Sequence, residues 1–185
     1  MDFRLTAEQL RLRELARSFA YEEIQPLARE LDREADARNA YPRNLIRRAS
    51  ELGLRTMTLR PQDGGLGADM LTEIVVLEEI AVGDVGFAMT LAHCWREGKF
   101  MAYSTTPEQR ERFLPDFISD PEYVTSFAQT EEHSGSDNGF PYTADLGAGP
   151  RTSAVLKDGE WVINGRKRFI TNGNVSRMIV LLART

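Results

Sequence analysis

Two segments of the sequence combine hydroxyl groups with aromatic side chains in a pattern that could bind a flat ligand. They span residues 127–137 (FAQTEEHSGSD) and 161–173 (WVINGRKRFITNG). The hydroxyl groups belong to Thr130, Ser134, Ser136 and Thr171. Neutral donors beside flat apolar walls suit a planar redox ring, because donors at the edge of such a ring tune its electron affinity. A single threonine at a strand end is usually structural, so the interpretation depends on the two segments together.

The other reactive side chains have simpler interpretations. Glu131 and Glu132 are adjacent carboxylates without a visible partner, so we interpret them as solvated loop residues. His93 and His133 are too isolated for a metal site, which needs several converging ligands, and no metal is expected. Cys94 is the only cysteine, which excludes an internal disulfide and favours a buried thiol in a reducing compartment.

A glycine-rich stretch covers residues 60–67 (RPQDGGLG). It superficially suggests a phosphate-binding loop, but the G-x-G-x-x-G spacing and a preceding strong strand are both missing. We interpret Gly64, Gly65 and Gly67 as parts of a turn.

The first two thirds of the sequence have the period of amphipathic helices. Thr6 and Gln9 form a capping box that begins a long helix, predicted to run to about Asp32 with a possible kink at Pro26. A second helix is predicted from near Pro42 to a stop at Gly53.

Three further helices are predicted before residue 122. Asp69 caps one that continues through Ile80. Residues 84–103 carry little charge before Arg96, which predicts a buried central helix. Thr106 caps the last, which ends before Pro121.

Near residue 122 the period changes to that of strands. Strands are predicted at 123–128, 152–157, 160–163, 166–170 and 178–182. Asp158–Gly159 and Asn164–Gly165 are strong hairpin signals, so two successive hairpins should form an antiparallel meander. The last predicted strand is apolar and should be buried on both faces. Because it would otherwise leave a sticky edge, the sheet is expected to be incomplete and covered by further chain.

The predicted fold class is α+β: an N-terminal all-α bundle over residues 1–121, followed by an incomplete antiparallel β-domain over residues 122–185. The net charge of −5 and the pI of about 5.2 argue against nucleic-acid binding. Residues 1–9 turn polar and acidic without the apolar stretch of an export signal, and no apolar run reaches membrane-spanning length. We therefore expect a soluble, cytoplasmic chain without a membrane span, with an unrecognised organelle import signal as the alternative.

The two segments resemble signatures of the acyl-CoA dehydrogenase family. Residues 127–137 are similar to T-E-P-x-A/S-G-S-D, and residues 161–173 are similar to W/Y-x-I/L-N-G-x-K-x-W/F-I-T/S-N. The loop 60–67 resembles the P-x-x-x-G-G-x-G turn of the family's N-terminal bundle. Glu132 stands where the family usually has proline, His133 where it has a small or polar residue, and Phe169 where tryptophan is common.

The resemblance implies FAD as the cofactor and assigns a set of binding residues. These are Phe127, Gln129, Thr130, Ser136, Phe169, Ile170 and Thr171. Thr130 and Thr171 match the hydroxyl residues that hydrogen-bond the flavin, and Phe127 and Phe169 match aromatic positions beside it, where they could also belong to the core. Ser136 matches the serine that contacts both the pyrophosphate and the thioester substrate.

By resemblance, the reaction is FAD-dependent α,β-dehydrogenation of an acyl-CoA thioester in fatty acid metabolism. The implied partners are the acyl-CoA substrate, an electron-transfer acceptor protein, and further copies in a homotetramer or a complementing second chain. The family's base is a glutamate in a C-terminal helical bundle that is absent from this chain, so no catalytic residue is assigned here. Residues 1–185 alone are expected neither to bind FAD tightly nor to turn over substrate; stoichiometric FAD and enoyl-CoA formation would contradict this.

Two alternatives remain open from the sequence. One is a flavin-dependent monooxygenase or a relative like nitroalkane oxidase on the same fold. The other is a non-catalytic module of the family that acts in assembly. The residue at the position of the missing base distinguishes the first from a dehydrogenase, and flavin absorbance distinguishes the second.

Overall fold

The computed structural model describes residues 4–36, 40–136 and 149–185. The chain separates into two compact units, the first ending at Val124 and the second beginning at Thr125. The first unit is helical and the second contains two small sheets. This confirms a helical N-terminal part followed by a β-region, while the strand pairing differs from the prediction.

The helical unit begins with the predicted capping box. The N–H of Gln9 donates to Thr6 Oγ1 at 3.2 Å, and the N–H of Thr6 donates back to Gln9 Oε1 at 2.9 Å. Helix α1 spans Ala7–Phe19, a π-helical segment spans Ala20–Ile24, and α2 spans Gln25–Leu31. The expected single helix is thus interrupted immediately before Pro26, which has no N–H to donate to the carbonyl four residues earlier.

The remaining helices agree closely with the sequence pattern. They are α3 (Arg43–Glu51), α4 (Met70–Gly83), α5 (Val85–Tyr103) and α6 (Pro107–Ser119). Asp69 accepts from the N–H of Thr72 at 2.8 Å, and Thr106 forms a second capping box. These local hydrogen bonds explain why the helix starts could be predicted.

Helix α5 lies at the centre of the helical core, as its low charge predicted. Its fully or nearly fully buried apolar side chains include Leu91, Cys94 and Trp95. The indole Nε1 of Trp95 donates to the carbonyl of Leu54 at 2.8 Å, so this large side chain is buried with its polar atom satisfied.

The glycine-rich stretch forms a turn, as predicted, and includes a short 3₁₀ segment at Pro61–Asp63. Gly64 is left-handed, with φ of +81°. A Cβ on Gly65 would lie 2.1 Å from the carbonyl oxygen of Leu59 and 2.5 Å from that of Thr56. Close backbone packing therefore requires glycine at position 65.

The β-unit contains one of the two predicted hairpins. Strands β2 (Ser153–Lys157) and β3 (Glu160–Asn164) pair antiparallel around Asp158–Gly159. Both turn residues have positive φ, +50° for Asp158 and +84° for Gly159. This is the backbone geometry that a two-residue type I′ turn requires.

The predicted antiparallel meander is wrong. Strand β1 (Thr125–Ala128) pairs parallel with β4 (Met178–Leu181), and residues 166–170 form no strand. Asn164–Gly165 makes no hairpin because Asn164 does not adopt positive φ. Gly165 instead packs against Thr152, where a Cβ would lie 2.4 Å from Thr152 Oγ1.

The end of the chain pairs with two different strands. The N–H of Leu182 donates to the carbonyl of Ala128 at 3.1 Å, while Arg184 exchanges backbone hydrogen bonds with Thr152 and Ala154 at 2.8 Å. Strand β4 is half-buried and Ile179 is 48% exposed, so the expectation of burial on both faces is wrong. The terminal segment links the two small sheets.

Candidate functional site

The first candidate segment leaves β1 and turns sharply. Phe127 is half-buried in β1, opposite Val180 of β4. Gln129 and Thr130 follow the strand, and Gln129 Nε2 donates to the carbonyl of Gly135 at 3.5 Å. The N–H of Glu131 donates to the carbonyl of Ser134 at 2.7 Å, which closes the turn.

The second candidate segment is attached directly to β1. Ser126 Oγ donates to the carbonyl of Thr171 at 2.8 Å, and Asn172 Nδ2 donates to the carbonyl of Thr125 at 3.0 Å. The N–H of Arg168 donates to the carbonyl of Thr130 at 3.0 Å. The structure therefore brings together the two segments that carry the predicted threonines.

The hydroxyls of Thr130 and Thr171 remain available for a ligand. Both residues are half-buried, and neither hydroxyl makes a hydrogen bond to any residue within 4–36, 40–136 or 149–185. Two uncharged groups that can donate fit the edge of a flavin, which needs neutral donors.

An apolar groove of about 420 Å³ lies in the same unit and involves the predicted residue Ile170. Ile163, Ile179 and Leu181 contribute further aliphatic surface to it. Such a groove could hold the apolar part of a planar ring. Its lining also includes Lys167.

Phe169 has an unusual position for a large aromatic side chain. It is 78% exposed and its φ is +55°, a backbone conformation that costs a non-glycine residue energy. The guanidinium carbon of Arg168 lies 4.3 Å from the centroid of its ring. The expectation that Phe169 also belongs to the core is wrong, because the backbone presents the ring outward.

Ser136 is exposed, at the last described position before residue 149. Asp137, which completes the first motif, lies outside the described residues. His133 and Glu132 are also exposed, so these departures from the family motif alter a surface turn.

The interpretation of Glu131 as a solvated loop residue is wrong. It is 8% exposed, and its Oε1 accepts hydrogen bonds from Lys167 Nζ at 2.8 Å and from the N–H of Thr152 at 2.9 Å. Its Oε2 accepts from the N–H of Arg151 at 2.6 Å. The signal that could have found this pair was the glutamate and lysine common to the two family motifs.

These contacts fix the charge of Glu131. Burial raises the pKa of the carboxyl, but the hydrogen bonds from Lys167, Thr152 and Arg151 outweigh it and lower the pKa to about 2. Lys167 is equally enclosed, with 8% of its side chain exposed against 6% for Glu131. The site thus contains a buried ion pair beside the Thr130 backbone.

Two further properties bear on function. Within the described residues, no three His, Cys, Asp or Glu side chains are grouped in a way that could hold a metal ion. Within residues 4–36, 40–136 and 149–185, no helix has the length and apolar character needed to cross a membrane.

Comparisons with known proteins identify relatives of both units. The profile of the acyl-CoA dehydrogenase N-terminal domain matches residues 6–121, and that of the middle domain matches residues 126–185. The short-chain specific acyl-CoA dehydrogenase of Clostridium acetobutylicum is 31% identical over 187 residues, covering 100% of this chain and 45% of the relative.

Solved structures agree with these matches. Butyryl-CoA dehydrogenase from Megasphaera elsdenii superimposes with a TM-score of 0.78 at 29% identity, covering 99% of this chain and 45% of that one. An acyl-CoA dehydrogenase complexed with FAD from Bacillus anthracis gives a TM-score of 0.78 at 26% identity, covering 97% and 29%. The chain spans less than half the length of these relatives. It belongs to the acyl-CoA dehydrogenase family.

Proposed function

We propose that the protein containing this chain is an FAD-dependent acyl-CoA dehydrogenase, and that residues 125–185 supply part of its flavin site. The observation that carries the proposal is the attachment of the Thr171 segment to β1 through Ser126, which brings it to the segment that contains Thr130. The likeness to a family member complexed with FAD supports the choice of cofactor.

The residues of this chain would bind and orient the flavin. We assign hydrogen bonding at the flavin edge to the hydroxyls of Thr130 and Thr171, and apolar contact to Phe127, Phe169 and Ile170. Gln129 lies beside Thr130 and belongs to the same wall of the site. When bound, FAD supplies the hydride acceptor for oxidation of the Cα–Cβ bond.

Substrate contact in this chain is assigned to Ser136. Its exposed hydroxyl, on a turn next to a glycine, is suited to a phosphate oxygen of the flavin and to the thioester ligand. We propose no residue of this chain as the catalytic base.

The decisive experiment expresses the protein from its complete gene and compares it with Thr130→Val and Thr171→Val. The wild-type protein should contain FAD and convert an acyl-CoA to the enoyl-CoA in the presence of an electron-accepting dye. Each variant should bind FAD about tenfold more weakly, because a hydrogen bond to the flavin edge is lost. A wild-type protein that neither binds FAD nor forms enoyl-CoA would refute the function.

We also propose a homotetrameric, cytoplasmic enzyme that delivers electrons to an electron-transfer protein in fatty acid metabolism. Exposed apolar side chains on α4 and α5, including Met70 at 72% and Val85 at 66%, support burial against another protein surface. Light scattering of the protein from the complete gene should give the mass of four copies. A monomer at micromolar concentration would contradict the assembly.

A further inference from the structure

The buried ion pair in the β-unit does more than neutralise two charges. Lys167 Nζ donates to Glu131 Oε1 at 2.8 Å and also to the carbonyl oxygen of Gln129 at 3.0 Å. The same ammonium therefore holds both residues that flank Thr130. The carbonyl of Thr130 itself accepts from the N–H of Arg168, the residue next to Lys167.

Glu131 extends this connection to a third segment. Its carboxylate accepts the backbone N–H groups of Arg151 and Thr152 at 2.6 and 2.9 Å. One carboxylate thus joins the turn after β1, the residues before β2 and the segment after β3. These three parts of the chain share no strand pairing at this point.

The contribution of the Glu131–Lys167 ion pair to folding stability does not by itself explain why it is buried here. A buried ion pair can often be replaced by apolar side chains at little cost, because desolvation offsets the attraction between the charges. Apolar side chains would fill the same space but make no directional hydrogen bonds. The hydrogen bonds of Lys167 and Glu131 fix the backbone on both sides of Thr130. A ligand-binding hydroxyl must be held to within about 0.5 Å to be effective.

We propose that Glu131 and Lys167 are positioning residues for the flavin, which hold Thr130 in fixed register with the segment leading to Phe169 and Thr171. The proposal rests on the function proposed above. It adds two residues that need not contact the cofactor and that act through the backbone of those that do.

The test uses the protein expressed from its complete gene, with Lys167→Met, Glu131→Gln and the double variant. FAD is removed, and the dissociation constant and visible spectrum are measured as FAD is added back. Lys167→Met should raise the dissociation constant about tenfold or more and shift the visible flavin band, because Thr130 is displaced.

Gly159→Ala is the matched control. It strains the β2–β3 turn in the same unit, where φ is +84°, and its Cβ would meet no atom within 4 Å, so it leaves the contacts of Glu131 and Lys167 in place. Its thermal stability should fall while its FAD affinity and flavin spectrum stay those of the wild type. A Lys167→Met protein with wild-type affinity and spectrum would overturn the proposal.

The double variant covers the case in which Lys167→Met fails to fold, because it leaves no unpaired charge buried. We expect it to fold and still to bind FAD more weakly with an altered spectrum. Recovery of wild-type affinity and spectrum would show that the pair serves only charge balance, and would overturn the proposal. Absence of FAD binding by the wild type would instead refute the proposed function, so the two failures are distinguishable.

Discussion

The hydroxyl of Ser126 donates a hydrogen bond of 2.8 Å to the backbone carbonyl of Thr171, forty-five residues later in the chain. Ser126 is fully buried in β1, so the donor of this bond is shielded from water, while Thr171 is half-buried. The hydrogen bond fixes the backbone of Thr171, in the second motif segment, against strand β1. It ties the second motif segment to the strand that leads into the first.

Ser126→Ala should weaken that tie with little change in volume. The Thr171 carbonyl then has no hydrogen bond from residue 126. This loss should lower the free energy of unfolding by about 1 to 3 kcal/mol. FAD binding should weaken as well, because the Thr171 segment is less fixed. Urea unfolding and FAD titration measure the two effects.

Thr105→Val is a suitable comparison for Ser126→Ala. It also removes a hydroxyl that donates to a backbone carbonyl, that of Met101 at 2.6 Å, but in the helical unit. It should affect stability and leave FAD affinity unchanged. Equal loss of affinity in both variants would contradict a specific role for Ser126.

The ionisation of Glu131 predicts a pH dependence of stability. Its pKa is lowered to about 2 in the folded protein from a usual value of 4.5. The stability that it contributes is fully present above pH 4.5 and is lost as the pH falls towards about 2. Glu131→Gln lacks this contribution, so its deficit against the wild type should shrink over that interval.

Urea midpoints of the wild type and Glu131→Gln across the interval measure this difference. A deficit that stays constant as the pH falls would show that the carboxylate is not held in its charged form by the fold.

The glycine-rich turn predicts a contrast between two alanine substitutions. Gly65→Ala would place a Cβ 2.1 Å from the carbonyl oxygen of Leu59, so the turn must move, at a cost of about 3 kcal/mol or more. Gly53→Ala meets nothing within 4 Å and suffers only the strain of a φ of +74°, about 1 to 2 kcal/mol. Thermal unfolding of the two proteins should rank them in this order, and the reverse order would contradict the packing of the turn.

Arg55 is a buried cation that ties three parts of the helical unit. It donates to Ser50 Oγ at 2.7 Å, to the carbonyl of Tyr123 at 3.2 Å and to that of Ile118 at 3.4 Å. Arg55→Met should cost about 3 kcal/mol, since buried acceptors lose their donors. Arg55→Lys should recover little of this, because an ammonium cannot reproduce the fork of donors.

Arg17→Met is the surface comparison for Arg55. Arg17 pairs with Glu79 through two bonds of 2.7 and 3.0 Å, but its side chain is 45% exposed. The loss should be under about 1 kcal/mol. Urea unfolding of Arg55→Met and Arg17→Met measures both losses of stability. A similar loss in the two variants would contradict the inference that burial makes Arg55 more important.

The features that could be predicted from the sequence depend on contacts between residues close together in the chain. The box formed by Thr6 and Gln9 starts a helix through contacts three residues apart, and Asp158–Gly159 forms a hairpin through its own backbone angles. The two hydroxyl-bearing segments could be singled out because motif residues are close together in the chain.

What could not be predicted depends on distant partners. Glu131 looked solvated because Lys167, thirty-six residues away, provides its counter-charge. Asn164–Gly165 carries a hairpin signal, yet Gly165 packs against Thr152 and the following residues attach to Thr130. Such long-range contacts override local turn preference, and periodicity contains no information about them.

The parallel pairing of β1 with β4 also constrains when the β-unit can form. Thr125 aligns with Met178, so β1 has no ladder partner until more than fifty further residues have been made. At about 5 to 20 residues per second, translation leaves β1 unpaired for several seconds, whereas the helices depend mostly on nearby residues. During synthesis, β1 is therefore open to wrong pairing until β4 has been made.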